Sequence, residues 1–344
     1  MNKFRFLSSC VVLLLIWGNI SLCYGETQKV RSFNIIRFDH SVARHRIPVV
    51  VGVSLNLEGD HLVTVGDDHK ARIWDLKTGQ LRRELSDQAD WVRTVKFRPD
   101  GKVFVTGGMD QNMYCYDAQT YQRLFQFQSS RHAVRSITFS PDSERMAMVG
   151  FNNSVSIYET AYGRLLRRWQ TTCTDQRCVV FSPDSRYLAS AGRDGIVRIF
   201  DTTTGAVVKD FEHHIRRVNS LAFSEDGQFL ATGGEDQKVC IWSMESKELH
   251  RVYDYPSGKV TAITFCGNDL VAAGSANNTM TVWNIHDSQE TPVYNMDEHT
   301  GTVAELLWDA TKKVLISCSF DTTVRFWSWE NAGKEVAALP ETVH

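Results

Sequence analysis

Three arginines, Arg93, Arg135 and Arg177, recur at intervals of 42 residues. A guanidinium group stays charged and presents paired N–H donors that match the oxygens of a carboxylate or a phosphate. Repetition at one interval predicts equivalent positions on neighbouring structural units, so the three side chains should form a basic arc. Further cations extend the arc at Arg193, Arg217 and Lys259.

Sequence motifs typical of catalysis are absent. The chain contains no H-E-x-x-H, no G-x-S-x-G and no P-loop. The pair His213-His214 is interpreted as a buried structural His214 beside an exposed neighbour, because no third metal ligand follows at a recognisable spacing. We therefore expect a protein that is not an enzyme and that uses no metal and no cofactor.

Cysteine spacing gives one local candidate for a covalent link. Cys173 and Cys178 flank a short loop and could close a disulfide if the protein is exported. Cys115, Cys240 and Cys318 lie inside strand patterns and are interpreted as small buried hydrophobic residues.

The element that must position these side chains is a repeat. An aromatic residue follows an Asp or Asn by six positions in seven segments, and successive aromatics are 42, 42, 42, 42, 41 and 44 residues apart. Each unit has short apolar runs rich in β-formers, separated by turns such as Pro99-Asp100-Gly101. A period near forty with strand-like content indicates a β-propeller, so we predict an all-β fold of seven four-stranded antiparallel blades. The seven aromatics are Trp74, Tyr116, Tyr158, Phe200, Trp242, Trp283 and Trp327.

These units resemble the WD-repeat family. The Trp-Asp pair that closes the third strand in that family stands literally at Trp74-Asp75, with Tyr116-Asp117 and Phe200-Asp201 as aromatic variants. The resemblance implies a buried hydrogen-bonding set of His, Ser or Thr, Asp and Trp in each complete repeat. Two repeats carry the whole set, at His214, Thr232, Asp236 and Trp242 and at His299, Ser317, Asp321 and Trp327.

The same resemblance implies a binding face. In WD-repeat platforms, partner contacts often come from residues beside the apolar position of the inner strand and from the residue before the turn Asp. A plain alternative is that arginines suit any solvated rim and pair there with acidic neighbours such as Asp175, Asp67 or Glu235. The candidate partner-binding residues are Trp91, Arg93, Arg135, Phe151, Arg177, Arg193, Arg217 and Lys259.

A ring of blades must join its ends or expose two sheet edges. Residues 32–39 occupy the place of an outer strand before the first repeat, and residues 334–339 could claim the same position. We favour the N-terminal segment, because the family usually interlocks its ends and because this segment is richer in β-branched residues.

Residues 1–25 have the layout of a secretory signal. Lys3 and Arg5 precede a stretch without charges, and small residues stand before Glu26. An uncleaved anchor formed by residues 6–25 is the alternative, because the uncharged stretch is almost long enough to cross a bilayer. The predicted organisation is a signal peptide (1–25), an N-terminal segment with the ring-closing strand (26–45), a seven-bladed propeller (46–339) and a C-terminal tail (340–344).

The net charge of the whole chain argues against two classes of function. A net charge of -2, from 38 basic and 40 acidic residues, argues against a nucleic-acid coat and against a polybasic membrane surface. We expect an exported, monomeric interaction scaffold within a larger complex, binding an acidic protein or peptide. The alternatives are a channel-mouth enzyme or binder of an anionic small molecule or glycan, and a cytoplasmic scaffold if the signal is not used.

Overall fold

The computed structural model describes residues 27–38, 47–127, 131–329 and 342–343. Their strands form seven sheets, each with four antiparallel strands, and two sheets gain a fifth, parallel strand. The innermost strands of successive sheets pack on one another until the last meets the first. The predicted seven-bladed propeller is thereby confirmed. The predicted signal (1–25) and the second candidate for ring closure (334–339) lie outside the described residues.

Blades 1 to 5 each consist of four consecutive strands, ordered from the channel outward. In blades 1 and 2 these are β3 (Val50–Leu55), β4 (His61–Gly66), β5 (Ala71–Asp75), β6 (Leu81–Leu85), β7 (Val92–Phe97), β8 (Val103–Gly108), β9 (Met113–Asp117) and β10 (Arg123–Gln126). In blades 3 to 5 they are β11 (Val134–Phe139), β12 (Arg145–Gly150), β13 (Ser154–Glu159), β14 (Leu165–Gln170), β15 (Gln176–Phe181), β16 (Tyr187–Gly192), β17 (Ile196–Asp201), β18 (Val207–Glu212), β19 (Val218–Phe223), β20 (Phe229–Gly234), β21 (Lys238–Ser243) and β22 (Glu248–Asp254).

Blades 6 and 7 recruit strands from the ends of the chain. Blade 6 is β23 (Val260–Cys266), β24 (Leu270–Ser275), β25 (Met280–Asn284) and β26 (Tyr294–Met296), with β1 (Gln28–Lys29) added in parallel. Blade 7 is β27 (Val303–Asp309), β28 (Val314–Ser319), β29 (Thr323–Trp327), β2 (Ser32–Arg37) and the parallel β30 (Thr342–Val343). The N-terminal β2 therefore supplies the outer antiparallel strand of the last blade, as the sequence favoured.

Burial follows position within the blade. The second strand β8 is buried at every residue, because it is covered by the sheets on both sides, whereas the outer strand β6 is largely exposed. Apolar clusters fill the spaces between neighbouring blades, for example Ile73, Val95 and Phe104 between blades 1 and 2. The core is thus a ring of interblade layers around a central channel.

Tight turns of the predicted type join the inner strands to the second strands. In blade 5 the Ser224 hydroxyl donates to Asp226 at 2.6 Å and accepts from the Phe229 amide at 3.0 Å. Gly227 has a φ of 71°, in the left-handed region that favours glycine. The turn formed by residues 224–227, Ser-Glu-Asp-Gly, therefore closes this hairpin.

Every inner strand carries a β-bulge at its second residue. The pairing with the second strand skips one residue in all seven blades, for example Arg93 between Val92 and Thr94. A bulge leaves one residue unpaired and re-aims its side chain. We call the seven skipped residues the bulge ring, and all of them line the channel: Val51, Arg93, Arg135, Arg177, Asn219, Thr261 and Ala304.

Candidate partner-binding face and channel

The predicted partner-binding residues lie at one end of the propeller. Five of them are in loops on that face, and the three bulge-ring arginines line the channel beneath it. In an antiparallel four-stranded blade, the loop entering the inner strand and the turn between the second and third strands lie at the same end. We call this end the upper face, and the end formed by the other turns the lower face. Trp91, Arg217 and Lys259 directly precede inner strands, whereas Phe151 and Arg193 lie in second-to-third-strand turns. The bulge-ring arginines open onto the channel below them.

Close backbone approach holds the entering loops against these turns. At Gly108, which ends β8, an added Cβ would lie 2.2 Å from the carbonyl oxygen of Trp91. Only glycine leaves room for that loop. The Met109 amide donates to the same carbonyl at 2.8 Å, so the Trp91 backbone is positioned by blade 2 itself.

Two arginines of the bulge ring stack on aromatic rings of the upper face. The Arg93 guanidinium lies 4.5 Å from the ring centroid of Trp91, and that of Arg177 lies 4.9 Å from the ring of Phe151. Trp91 remains 39% exposed and Phe151 36% exposed. Because Phe151 belongs to blade 3 and Arg177 to blade 4, the stacking links neighbouring blades.

Ion pairs connect the upper-face loops of blades 4, 5 and 6. Asp175 lies 2.8 Å from Arg177 and 3.3 Å from Arg217. Glu235 lies 3.1 Å from Arg217 and 3.6 Å from Lys259. Two carboxylates therefore serve three cations, and the arc over blades 4 to 6 is partly neutralised, as the plain alternative described. Arg193 is exposed and has no ion pair in the described structure.

Arg135 lies between the other two bulge-ring arginines, and its environment is different. Within the described residues its side chain makes no hydrogen bond and no ion pair. Burial, together with the positive charges of Arg177 and Arg93, lowers the pKa of Arg135 to about 10. The pKa of Arg93 is also lowered, by burial and by Arg177. Both groups remain charged near neutral pH, so like charges occupy equivalent positions of neighbouring blades at the channel mouth.

The complete hydrogen-bonding sets of blades 5 and 7 are assembled in the interior. His214 Nδ1 lies 2.9 Å from Asp236 Oδ2 and its Nε2 lies 2.8 Å from Thr232 Oγ1, while Trp242 Nε1 donates to the same hydroxyl at 3.0 Å. In blade 7 the corresponding distances are 2.8 Å from His299 to Asp321, 2.7 Å from His299 to Ser317 and 2.8 Å from Trp327 to Ser317. These side chains hold the upper-face loops to the blade, so their role is structural.

Three blades without the histidine pair their turn Asp with a different residue, which the sequence did not predict. In blade 2, Gln88 stands four residues before Val92, the register that His214 has before Val218. Its amide satisfies both neighbours when the nitrogen faces Asp110 at 2.8 Å and the oxygen accepts from Thr106 Oγ1 at 3.0 Å. The sequence feature that could have predicted this pairing is a polar residue at the position that histidine occupies in blades 5 and 7.

Blades 1 and 4 use arginine instead. The turn carboxylate of Asp68 contacts Arg72 Nη2 at 2.5 Å, and that of Asp194 contacts Arg198 Nη2 at 2.7 Å. Both arginines stand two residues before the third-strand aromatic and are almost completely buried. An Asp-x-x-x-Arg spacing in these turns marks the substitution, because the four-residue offset brings the two side chains together.

Cys173 and Cys178 do not form the disulfide that their spacing suggested. Both are buried free thiols. The Cys173 thiol donates to the Asp175 carbonyl at 3.4 Å, whereas the Cys178 thiol donates to the Ala191 carbonyl at 3.7 Å on the neighbouring strand. Because the two sulfurs are directed to different acceptors, the loop is closed by hydrogen bonds and not by a covalent link.

Residues 27–38, 47–127, 131–329 and 342–343 contain neither a metal-ligating cluster nor a membrane-spanning helix. There, no three His, Cys, Asp or Glu side chains come together in a way that could hold a metal ion. Nor does that part of the chain contain a helix with the length and apolar content needed to cross a bilayer.

The geometry defines a seven-bladed β-propeller with a cation- and aromatic-containing upper face. A family model described as nucleolar protein 10-like, N-terminal domain, matches residues 93–344, and the model for the WD domain, G-beta repeat, matches residues 38–75. The chain therefore belongs to the WD-repeat β-propellers, in the group that the nucleolar protein 10-like model describes. Propellers of this family generally bind protein partners and are generally not catalysts.

Individual relatives match over short segments. Cell division control protein 4 of Saccharomyces cerevisiae is 36% identical over 72 residues, which is 21% of this chain and 9% of that protein. The intraflagellar transport protein 80 homolog of Mus musculus is 42% identical over 66 residues, 19% of this chain and 8% of that protein. The matched segments thus span less than a tenth of either relative, about the length of one or two blades.

Proposed function

We propose that the protein is a non-catalytic interaction scaffold whose upper face binds an acidic segment of a protein partner, with the propeller acting as a monomer within a larger complex. The observation that carries the proposal is the pair of exposed stacks, Trp91 with Arg93 and Phe151 with Arg177. Aromatic residues and arginine dominate binding energy at interfaces, and a guanidinium that is held by an aromatic ring loses less freedom on binding a carboxylate.

Two more exposed apolar side chains support the same face. Ile215 is 82% exposed in the loop that enters β19, and Phe320 is 44% exposed in the turn between β28 and β29. With Trp91 and Phe151 they lie on the same face as Arg217 and Lys259. A mixture of apolar anchors and fixed charges suits an acidic segment that also contains apolar residues.

Matched variants on the two faces test the proposal. Proteins captured by the full chain are compared with those captured by the double variant Trp91→Ala, Phe151→Ala and by Tyr162→Ala, whose ring is 75% exposed on the lower face. We expect the double variant to lower affinity at least tenfold for a partner that Tyr162→Ala retains. Binding of that partner should weaken with added salt and with polyglutamate as a competitor.

The proposal fails if both variants retain the same partners with equal affinity. It also fails in its acidic form if the selectively lost partner is unaffected by salt and by polyglutamate. Measuring the unfolding midpoint of each variant separates loss of binding from loss of folding, because both sites are exposed and should change stability little.

We also propose that residues 1–25 direct export, with cleavage before Glu26. Support comes from the order of charges, with Lys3 and Arg5 preceding an uncharged apolar stretch. Mass spectrometry of the chain recovered from the extracytoplasmic fraction should find Glu26 as its first residue. Retention of residues 1–25 on membrane-bound protein would favour the anchor, and their retention on soluble cytoplasmic protein would overturn export.

A further inference from the structure

The charged residues of the bulge ring are all on one side of the channel. Three consecutive blades, 2 to 4, contribute arginine, and the remaining four contribute neutral side chains. The neutral polar members already have partners: Asn219 donates to the Val260 carbonyl at 2.8 Å, and the Thr261 hydroxyl bonds the Gly274 carbonyl at 3.1 Å. Unused hydrogen-bonding capacity is therefore concentrated on the arginine side.

The acidic groups near the arginines already have partners, and none of those partners is Arg135. Glu305 points into the same channel, but one of its oxygens pairs with Lys96 and the other accepts from the Val53 amide at 2.8 Å. Asp175 is divided between Arg177 and Arg217. Glu225 lies at the opposite, lower end of the channel, in the turn after β19. Arg135 is left without a carboxylate partner among the described residues.

Two carboxylates outside the bulge ring interact electrostatically with the Arg93 guanidinium. Asp90 and Asp67 both favour its charged form, yet neither makes a hydrogen bond with its guanidinium. Asp90 accepts from the Trp91 amide at 2.7 Å and Asp67 from the Val49 amide at 3.0 Å. The buried Arg93 Nε has no hydrogen-bond partner. Arg93 and Arg135 thus both present unused N–H donors.

The channel that the three arginines line has room for a ligand along its length. The cavity has a volume of about 520 Å³, within the usual range for small-molecule sites. Its lining includes the hydroxyl-bearing residues Thr94 and Ser136, which directly follow Arg93 and Arg135, and also Thr138. Like charges held together with unused donors raise the free energy of the empty protein, and an oxyanion placed between them would lower it.

We propose that the channel contains an oxyanion-binding site formed by Arg93, Arg135 and Arg177, which takes a compact small molecule bearing two or more phosphate or carboxylate groups. The inference goes beyond the proposed function, because the ligand lies within the channel and not on the partner-binding face. Arg135 is its central residue, flanked by one arginine from each neighbouring blade.

Calorimetric titration of the full chain with pyrophosphate and with citrate tests the site and separates phosphate from carboxylate chemistry. Acetate at matched ionic strength is the control for screening. We expect saturable binding of at least one polyvalent anion and an upward shift of the unfolding midpoint in its presence. Arg135→Gln should weaken that binding at least tenfold, and Arg83→Gln, which removes an exposed charge from the outer strand β6, should leave it within twofold.

A second measurement distinguishes a binding role from a structural one. Without anion, Arg135→Gln should unfold at the same temperature as the wild type or higher, because it removes repulsion from Arg93 and Arg177. Its midpoint should no longer rise with the polyvalent anion. Absence of saturable binding, or equal losses in Arg135→Gln and Arg83→Gln, would overturn the site. Neither outcome bears on partner capture, which is measured separately.

Discussion

At the scale of single residues, the buried polar groups differ in how completely they are paired. Thr232 in blade 5 bonds both His214 and Trp242. Ser190 occupies the equivalent position in blade 4, but the third-strand aromatic there is Phe200, which has no N–H, and the Ser190 hydroxyl is buried without a partner. An unpaired buried hydroxyl loses its hydration without compensation.

Substitution at these two positions should therefore have opposite consequences. Thr232→Val leaves the buried Trp242 N–H and the buried His214 Nε2 without their shared hydrogen-bond partner and should lower the free energy of unfolding by about 2 to 4 kcal/mol. Ser190→Ala should be neutral or stabilising. Urea unfolding of both variants provides the measurement, and equal destabilisation would show that the hydrogen bonds of blade 5 contribute little.

Asp321 should make stability depend on acid pH. Burial alone would raise the pKa of Asp321. The hydrogen bond and the charge of His299 lower this pKa, as do hydrogen bonds from Thr323 and the Thr300 amide, and the result lies well below the usual 3.8. A carboxyl whose pKa is lowered by folding stabilises the protein above the unfolded-state value and loses that contribution as the pH falls towards the folded-state value. Asp236 behaves in the same direction.

We expect the free energy of unfolding to fall as the pH is lowered from about 5 to 3. Asp321→Asn should be less stable at pH 6 and should show a shallower fall over this range. Urea titrations at each pH measure both quantities. An identical pH slope in the wild type and the variant would rule out Asp321 as a source of the acid dependence.

At the scale of elements, the N-terminal segment is what closes the ring. β1 extends blade 6 and β2 completes blade 7, where Arg325 contacts Glu298 at 2.9 Å and Ser32 at 3.2 Å. Phe38, directly after β2, meets Trp74 of blade 1 edge to face at 5.1 Å between ring centroids. One short segment therefore contacts three blades, which explains how it can hold the ring closed.

Truncation of a buried side chain on β2 should weaken this closure. Ile36 is 3% exposed, and Ile36→Ala should lower the free energy of unfolding by about 2 to 4 kcal/mol through lost burial and a cavity. Leu124→Ala is the matched control, because Leu124 also lies on an outer strand but is 52% exposed. Equal effects of the two changes would mean that β2 adds no more to stability than a solvated strand.

At the scale of the whole molecule, closure couples the blades. An open array of repeats can unfold from its ends, because each unit contacts only its neighbours, but a closed ring has no end unit. Buried thiols report on this coupling in separate blades. Burial raises the pKa of Cys115, Cys178 and Cys240 to about 12, in blades 2, 4 and 5. Such thiols react slowly while the fold is intact.

Thiol labelling across a urea series should therefore show one transition. At pH 8 the native chain should label slowly at all three cysteines, and all three should become reactive over the same narrow range of urea. Mass spectrometry of digested samples assigns each label to its cysteine. Exposure of one blade at clearly lower urea than the others would contradict cooperative closure.

The amino-acid order by itself determined the number of blades, the turns and the two complete hydrogen-bonding sets. These depend on local chemistry: aromatic residues at a period near 42, turn residues between short β-rich runs, and polar residues at fixed offsets within one repeat. It also placed Arg93, Arg135 and Arg177 at one repeated position. Gln88 and Arg72 were missed although their registers carried a signal, because the expected residue type was histidine.

Only the tertiary structure decided which of those arginines keep free donors. Asp175 reaches Arg217 of the next blade, 42 positions along the chain, whereas no carboxylate of the described residues pairs with Arg135. Residues that face each other across a channel are far apart in the chain, so pairing between charges depends on how the blades close and where the bulges aim their side chains. The repeat specifies equivalent positions, and the closed ring makes them chemically different.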